Sequence, residues 1–147
     1  MRCVYFNARS IVGKADELKV WIDTLKYDIV AISETWLQEG QDWQLNVPGF
    51  QCFRRDRGGG IKGGGVALLV RENVTAVLRQ DRLGSLCTEA LWVELRNRKG
   101  MTTLMGLYYR PPNSQRELEE QISREIADSC KKHKVVIVGD FNFPHIN

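Results

Sequence analysis

Residues Val135 to Asn142 read VVIVGDFN, an apolar run that ends in Gly139, Asp140, Phe141 and Asn142. Four apolar residues bounded by turn-forming ones predict a buried strand at Val135 to Val138. In extended geometry Asp140 and Asn142 stand two residues apart, so both side chains point to the same side. A phosphate ester under attack needs a carboxylate to hold a hard cation or orient water, and a neutral donor for the developing negative charge. Asp140 and Asn142 supply that pair of groups. The competing reading is an ordinary Gly-Asp turn at the end of a strand.

Working outward, a second short apolar strand, Asp28 to Ser33 (DIVAIS), runs directly into Glu34. Its length excludes a helix, and its apolar middle predicts burial on both faces. Carboxylates at the ends of buried strands stand where α/β folds place ligands, and one or two of them suit Mg2+. Standing alone, Glu34 would read as a surface or helix-start carboxylate. Arg2 to Phe6 reads as a strand, and Lys14 to Lys26 as an amphipathic helix with Leu18, Trp21, Ile22 and Leu25 on one face. Strand followed by helix is an α/β unit.

The middle of the chain reads as antiparallel. Phe50 to Arg54 and Val66 to Arg71 are strands on either side of a glycine-rich turn, Gly58 to Gly65, that also holds Ile61 and Lys62. Thr88 to Leu95 and Thr102 to Tyr109 flank Asn97 to Gly100, whose composition suits a hairpin connection. Ser114 and Glu117 have the spacing of a capping box, opening a helix with Leu118, Ile122 and Ile126 as its apolar stripe. That helix ends near Lys131, Lys132, His133 and Lys134, where positive charge favours a helix C-terminus.

With 147 residues, 43% hydrophobic and 27% charged, the chain is the size of one globular domain able to bury a sizeable core. Its longest apolar stretches, such as Val66 to Val70, fall well short of the roughly 20 residues of a membrane-spanning helix. The N-terminus lacks the pattern of a secretory signal, so an intracellular location is expected. A formal charge of +3 tolerates a polyanionic partner without indicating one. Cys3, Cys52, Cys87 and Cys130 form no CxxC pair, and reduced, mostly buried thiols are expected.

Taken together, NARS at Asn7 to Ser10, SETWL at Ser33 to Leu37, the GGGVALLV strand, YRPPN at Tyr109 to Asn113 and GDFN stand in the order seen in the endonuclease/exonuclease/phosphatase superfamily. The wording of SETWL, YRPP and GDFNFP resembles the endonuclease domain at the N-terminus of LINE-type, non-LTR retrotransposon polyproteins. Repair members typically carry their glutamate in a QET context, and this chain has SET. The resemblance implies an α/β fold of two sheets packed face to face with helices outside, the DNase I-like four-layer arrangement. It implies Mg2+, with Mn2+ as the alternative, held by Glu34, and a metal-assisted in-line displacement. Asn7 would support the hydrogen-bond network, Tyr109 would lie beside the scissile phosphate, Asp140 would position or deprotonate water, and Asn142 would orient it and stabilise the pentacovalent phosphorus. For Tyr109 a half-buried strand tyrosine is the rival reading.

DNA is the substrate such a resemblance implies, nicked in the nucleus to expose a 3′ hydroxyl, with a reverse transcriptase in the same polyprotein. Abasic-site repair enzymes and phosphatases of the superfamily are the alternative, as is a non-catalytic remnant. The family's late Ser-Asp-His motif has no counterpart here: the histidines are His133 and His145, and neither follows an aspartate. The expectation is therefore a partial domain over residues 1–147, incomplete at its C-terminus, poorly stable or prone to association, and without appreciable nuclease activity. His145 stands too near GDFN to be the family's acid or base and reads as a loop residue. Trp21, Trp36, Trp43 and Trp92 read as packing residues. Arg54, Arg55, Arg57 and Lys62 read as a solvated loop with weak claims on phosphate, and the glycine run, lacking a GK[ST] ending, as a hairpin tip.

Overall fold

Ile29–Ser33 is the strand around which the first sheet forms, and every residue in it is buried. In the computed structural model, which describes residues 1–80, 89–97 and 99–143, this strand (β2) has Cys3–Asn7 (β1) parallel on one side and Val66–Arg71 (β4) antiparallel on the other. Phe50–Arg55 (β3) pairs antiparallel with β4. The sheet order is therefore β1-β2-β4-β3.

A second sheet has the order β5-β6-β7-β8. It is built from Thr75–Leu78 (β5), Glu89–Arg96 (β6), Thr102–Tyr109 (β7) and Val135–Asp140 (β8). Its strands are antiparallel up to β7, and β8 then adds parallel to β7. Both sheets are thus mixed, each with a parallel pair at the end that carries the candidate residues. The alternating, half-exposed β5 is only four residues long, too short to declare itself in the sequence. Thr88, the expected start of β6, lies outside the described residues, as do Cys87 and His145.

Three apolar layers hold the sandwich together. Ile29, Ala31, Leu68 and Val70 of the first sheet meet Leu91, Val93, Met105 and Leu107 of the second between the sheets. The outer face of the first sheet, with Val30, Ile32 and Leu69, takes Leu18 and Ile22 of the helix Ala15–Leu25 (α1). Trp92, Leu104 and Tyr108 on the outer face of the second sheet take Ile122 of the helix Arg116–Lys132 (α2), with Leu118 and Ile126 at its margin. Helices on both outer faces give the four-layer α/β sandwich. Among the described residues no helix is long and apolar enough to cross a membrane.

Several local expectations are corrected. Ser114 is not a cap: α2 begins at Arg116 without a side-chain cap, because the Ser114 hydroxyl donates to the Pro111 carbonyl at 2.5 Å. Cys3, Cys52 and Cys130 are free thiols, as expected, but exposed; Cys3 and Cys52 lie on the edge strands β1 and β3, and Cys130 on the solvent side of α2. Trp92 is core, whereas Trp43 is 61% exposed. The arginines before the glycine turn are ordered by ion pairs rather than solvated: Arg54 meets Asp42 and Asp56 at 3.3 and 3.1 Å, and Arg57 meets Glu89 at 2.6 Å.

Candidate active site

Both sheets end at the same place. Asn7 closes β1, Glu34 follows β2, and the register pairs Tyr109 of β7 with Asp140 of β8. The Asn7 amide nitrogen donates both its hydrogens to carboxylates, to Glu34 Oε1 at 2.7 Å and to Asp140 Oδ2 at 3.0 Å. A residue near the N-terminus thereby joins the acids of two different sheets. Its amide oxygen accepts the Arg9 backbone N–H at 3.0 Å, which fixes the orientation of the group.

The turn after β2 is held from both sides. Glu34 and Trp36 adopt left-handed backbone angles, φ 52° and 58°, a conformation that costs energy for residues with a β-carbon and persists only where surroundings enforce it. Here the enforcement is visible: Ser10 and Ile11 donate to the carbonyls of Glu34 and Thr35, while Thr35 and Trp36 donate to the carbonyls of Gly65 and Gly64. Three of the sequence motifs are thus stitched together by backbone. The Trp36 indole N–H then reaches Glu34 Oε2 at 3.3 Å, making Trp36 a positioning group rather than simple packing.

Asp140 is presented by an equally constrained turn. Gly139 pairs opposite Tyr108 with φ 152°, and a β-carbon there would overlap the Tyr108 carbonyl. Beyond Asp140 the chain leaves extended geometry, with Asn142 at φ 44°. The extended run that the same-side expectation for Asp140 and Asn142 required therefore stops at Asp140. Asn142 instead donates its amide to the Arg110 carbonyl at 2.9 Å. Arg110, only 2% exposed, returns hydrogen bonds to the carbonyls of Asn142 at 2.7 Å and Phe141 at 3.3 Å and pairs with Glu119 of α2. The buried guanidinium explains why arginine follows Tyr109: it shapes the GDFN turn.

Tyr109 is 7% exposed. Burial pushes its phenol up from the ordinary range, the Glu34 carboxylate adds to this, and the Arg57 guanidinium opposes it. Tyr5, absent from the sequence-derived candidates, also faces this cluster. Its hydroxyl meets Ser33 Oγ at 2.8 Å, and its phenol is pushed up by burial and, in smaller part, by Asp140 and Glu34. The signal for Tyr5 was its place two residues before Asn7 on the same strand, hence on the same face.

The donor set suits a hard divalent cation: two carboxylates joined through one amide match the few carboxylates plus waters that Mg2+ takes. Among the described residues there is no group of three or more His, Cys, Asp or Glu able to form an all-protein cage. Any cation here would complete its shell with water or substrate oxygens.

Comparison with known proteins bears on the fold and the family. The chain is 21% identical over 93% of its length to an RNA-directed DNA polymerase from mobile element jockey of Drosophila funebris, and spans 14% of that protein. The Drosophila melanogaster counterpart is 22% identical over 95% of the chain, again with 14% of the relative spanned. The endonuclease domain of TRAS1, a telomere-specific non-LTR retrotransposon, superposes with a TM-score of 0.70 at 21% identity, covering 96% of this chain and 60% of that one. AP endonuclease LMAP from Leishmania major gives 0.74 at 12% identity, covering 94% and 54%. These likenesses establish the DNase I-like fold. The Endonuclease/Exonuclease/phosphatase family profile matches residues 4–147, and the chain belongs to that family.

Proposed function

We propose that this chain carries the metal-holding and water-orienting residues of a phosphodiesterase that nicks DNA, in the manner of the retroelement endonucleases it resembles. The observation that carries the reading is the Asn7 amide shared between Glu34 and Asp140. An amide that donates to two carboxylates at the meeting point of two sheets is a device for holding negative charge in a fixed geometry. Glu34, steadied by Asn7 and Trp36, would hold Mg2+ or Mn2+, which when bound would polarise a phosphoryl oxygen.

The residues divide the remaining work. Asp140 takes a proton from the attacking water as its oxygen bonds to phosphorus and the bond to the leaving 3′ oxygen breaks. The Tyr109 hydroxyl, kept protonated by its surroundings, donates to a phosphate oxygen. Asn142 acts from the exposed end of the turn, its amide N–H on Arg110 leaving its carbonyl to orient water. Asn7 keeps the two acids apart and correctly aimed.

The alternative reading is a metal- or nucleic-acid-binding remnant without turnover. Nicking of supercoiled plasmid in Mg2+ separates the two. Nicking abolished in Asp140→Ala establishes catalysis by this chain and excludes the remnant. Mg2+ binding that depends on Glu34, without nicking, is the result the remnant reading predicts. Absence of both overturns the proposed site.

A further inference from the structure

The glycine turn brings a cation to this acidic cluster by a route no motif announces. Glu89, at the start of β6 and 9% exposed, accepts from Arg57 Nε at 2.6 Å and from the Gly65 backbone N–H. A β-carbon on Gly64 would strike both the Glu89 carboxylate and the Arg57 guanidinium, so the guanidinium packs directly against bare backbone. One carboxylate thus fixes the turn and the arginine together. The Arg57 carbon Cζ sits 5.8 Å from the centre of the Tyr109 ring. Its Nη2 nitrogen is buried against the turn, while the side chain as a whole keeps 23% of its surface exposed.

A phosphodiester approaching Glu34 and Asp140 meets two negative charges. Arg57 is the cation built against Tyr109, whereas the exposed Lys62 has its ammonium 5.8 Å from the centre of the Trp36 ring. Arginine suits the task because its rigid fork can satisfy Glu89 through Nε and still present a second N–H to a phosphate oxygen, whereas lysine offers a single point of charge. We infer that Arg57, held by Glu89 against the glycine turn, contacts a non-bridging oxygen of the DNA phosphodiester beside Tyr109. The inference rests on the phosphodiesterase reading and adds a substrate-binding residue to it.

Equilibrium binding of a fluorescent DNA duplex in EDTA, followed by anisotropy over a range of salt, tests the contact without requiring turnover. Loss of one phosphate contact flattens the slope of log K against log salt by about 0.9. Arg57→Gln is expected to show that flattening with an affinity loss of about tenfold or more. Arg57→Lys is expected to keep the slope and lose part of the affinity. Glu89→Gln, which frees the arginine without removing its charge, should behave like Arg57→Lys. Wild-type affinity and slope in a folded Arg57→Gln protein overturn the contact; should that variant not fold, wild-type affinity in Arg57→Lys does so. A wild-type chain that binds only phosphomonoesters and no duplex also overturns it. Duplex binding sensitive to Arg57 in a chain that binds no Mg2+ would keep the contact while refuting the hydrolytic site.

Discussion

Strands β2 and β8 read alike in the sequence: each is a short apolar run, IVAIS or VVIVGD, that leads to a carboxylate at its end. In the structure they differ sharply. β2 lies inside its sheet between β1 and β4 and is buried throughout. Among the described residues β8 lies at the edge of its sheet, paired only with β7, and its residues are mostly half-buried, with Val136 44% exposed. Apolar composition reports what a strand can bury, whereas position in the sheet decides what it does bury. Glu34 is therefore presented by a fully buried interior strand, and Asp140 by an edge that depends on Arg110, Gly139 and Asn7 to hold its place.

That contrast can be broken most directly by cavity formation. Ile32→Ala in β2 removes a fully buried side chain from the layer under α1 and is expected to cost about 2–5 kcal/mol. Val136→Ala in β8 should cost less than about 1 kcal/mol. Urea unfolding of the two variants checks the difference, and equal losses would erase the distinction drawn between the strands. Asn7→Ala should separate the halves chemically: Mg2+ affinity is expected to fall about tenfold or more, as for loss of a group that orients metal ligands, while Mn2+ relaxation measurements supply the readout.

A smaller effect concerns alkaline pH. The Tyr109 phenol has a folded pKa above its unfolded value of about 10, so the folded state keeps its proton where the unfolded chain loses it. The associated stability is present below pH of about 10 and is lost as pH rises through the folded value. Tyr109→Phe should flatten the fall of thermal stability across that range; an identical slope would show that the phenol is not perturbed. The smallest change in folding free energy is expected from Val136→Lys, because the side chain is already exposed. It should nevertheless reduce concentration-dependent association in sedimentation, since a charge on an apolar edge strand discourages pairing with a second copy.

Much of this architecture was legible because strand and helix periodicities survive in the sequence. β2, β4, β7, β8 and the two amphipathic helices follow from apolar pattern, and the glycine turn from composition. Three kinds of feature were not legible. Strand β5 is only four residues long, too short for its alternation to register as a pattern. The mixed character of the sheets depends on which strands become neighbours, which local pattern does not encode. Pairings such as Arg57 with Glu89, or Arg110 with the Asn142 carbonyl, connect residues about thirty positions apart, so an arginine that looks solvated in sequence becomes a clamp in the fold. Among the candidates, Asn7, Glu34 and Asp140 converge through one amide and Tyr109 stands beside Glu34, but Asn142 arrives by a turn rather than along a strand.

The account depends most on Glu34 and Asp140 forming one cation-holding site through Asn7. Calorimetric titration of the folded chain with Mg2+ tests this directly, with Glu34→Gln and Asp140→Asn as paired variants. One saturable site, lost in Glu34→Gln and weakened in Asp140→Asn while both variants keep the wild-type fold, is the predicted result. Binding that is absent from the wild-type chain, or that survives Glu34→Gln unchanged, would contradict it.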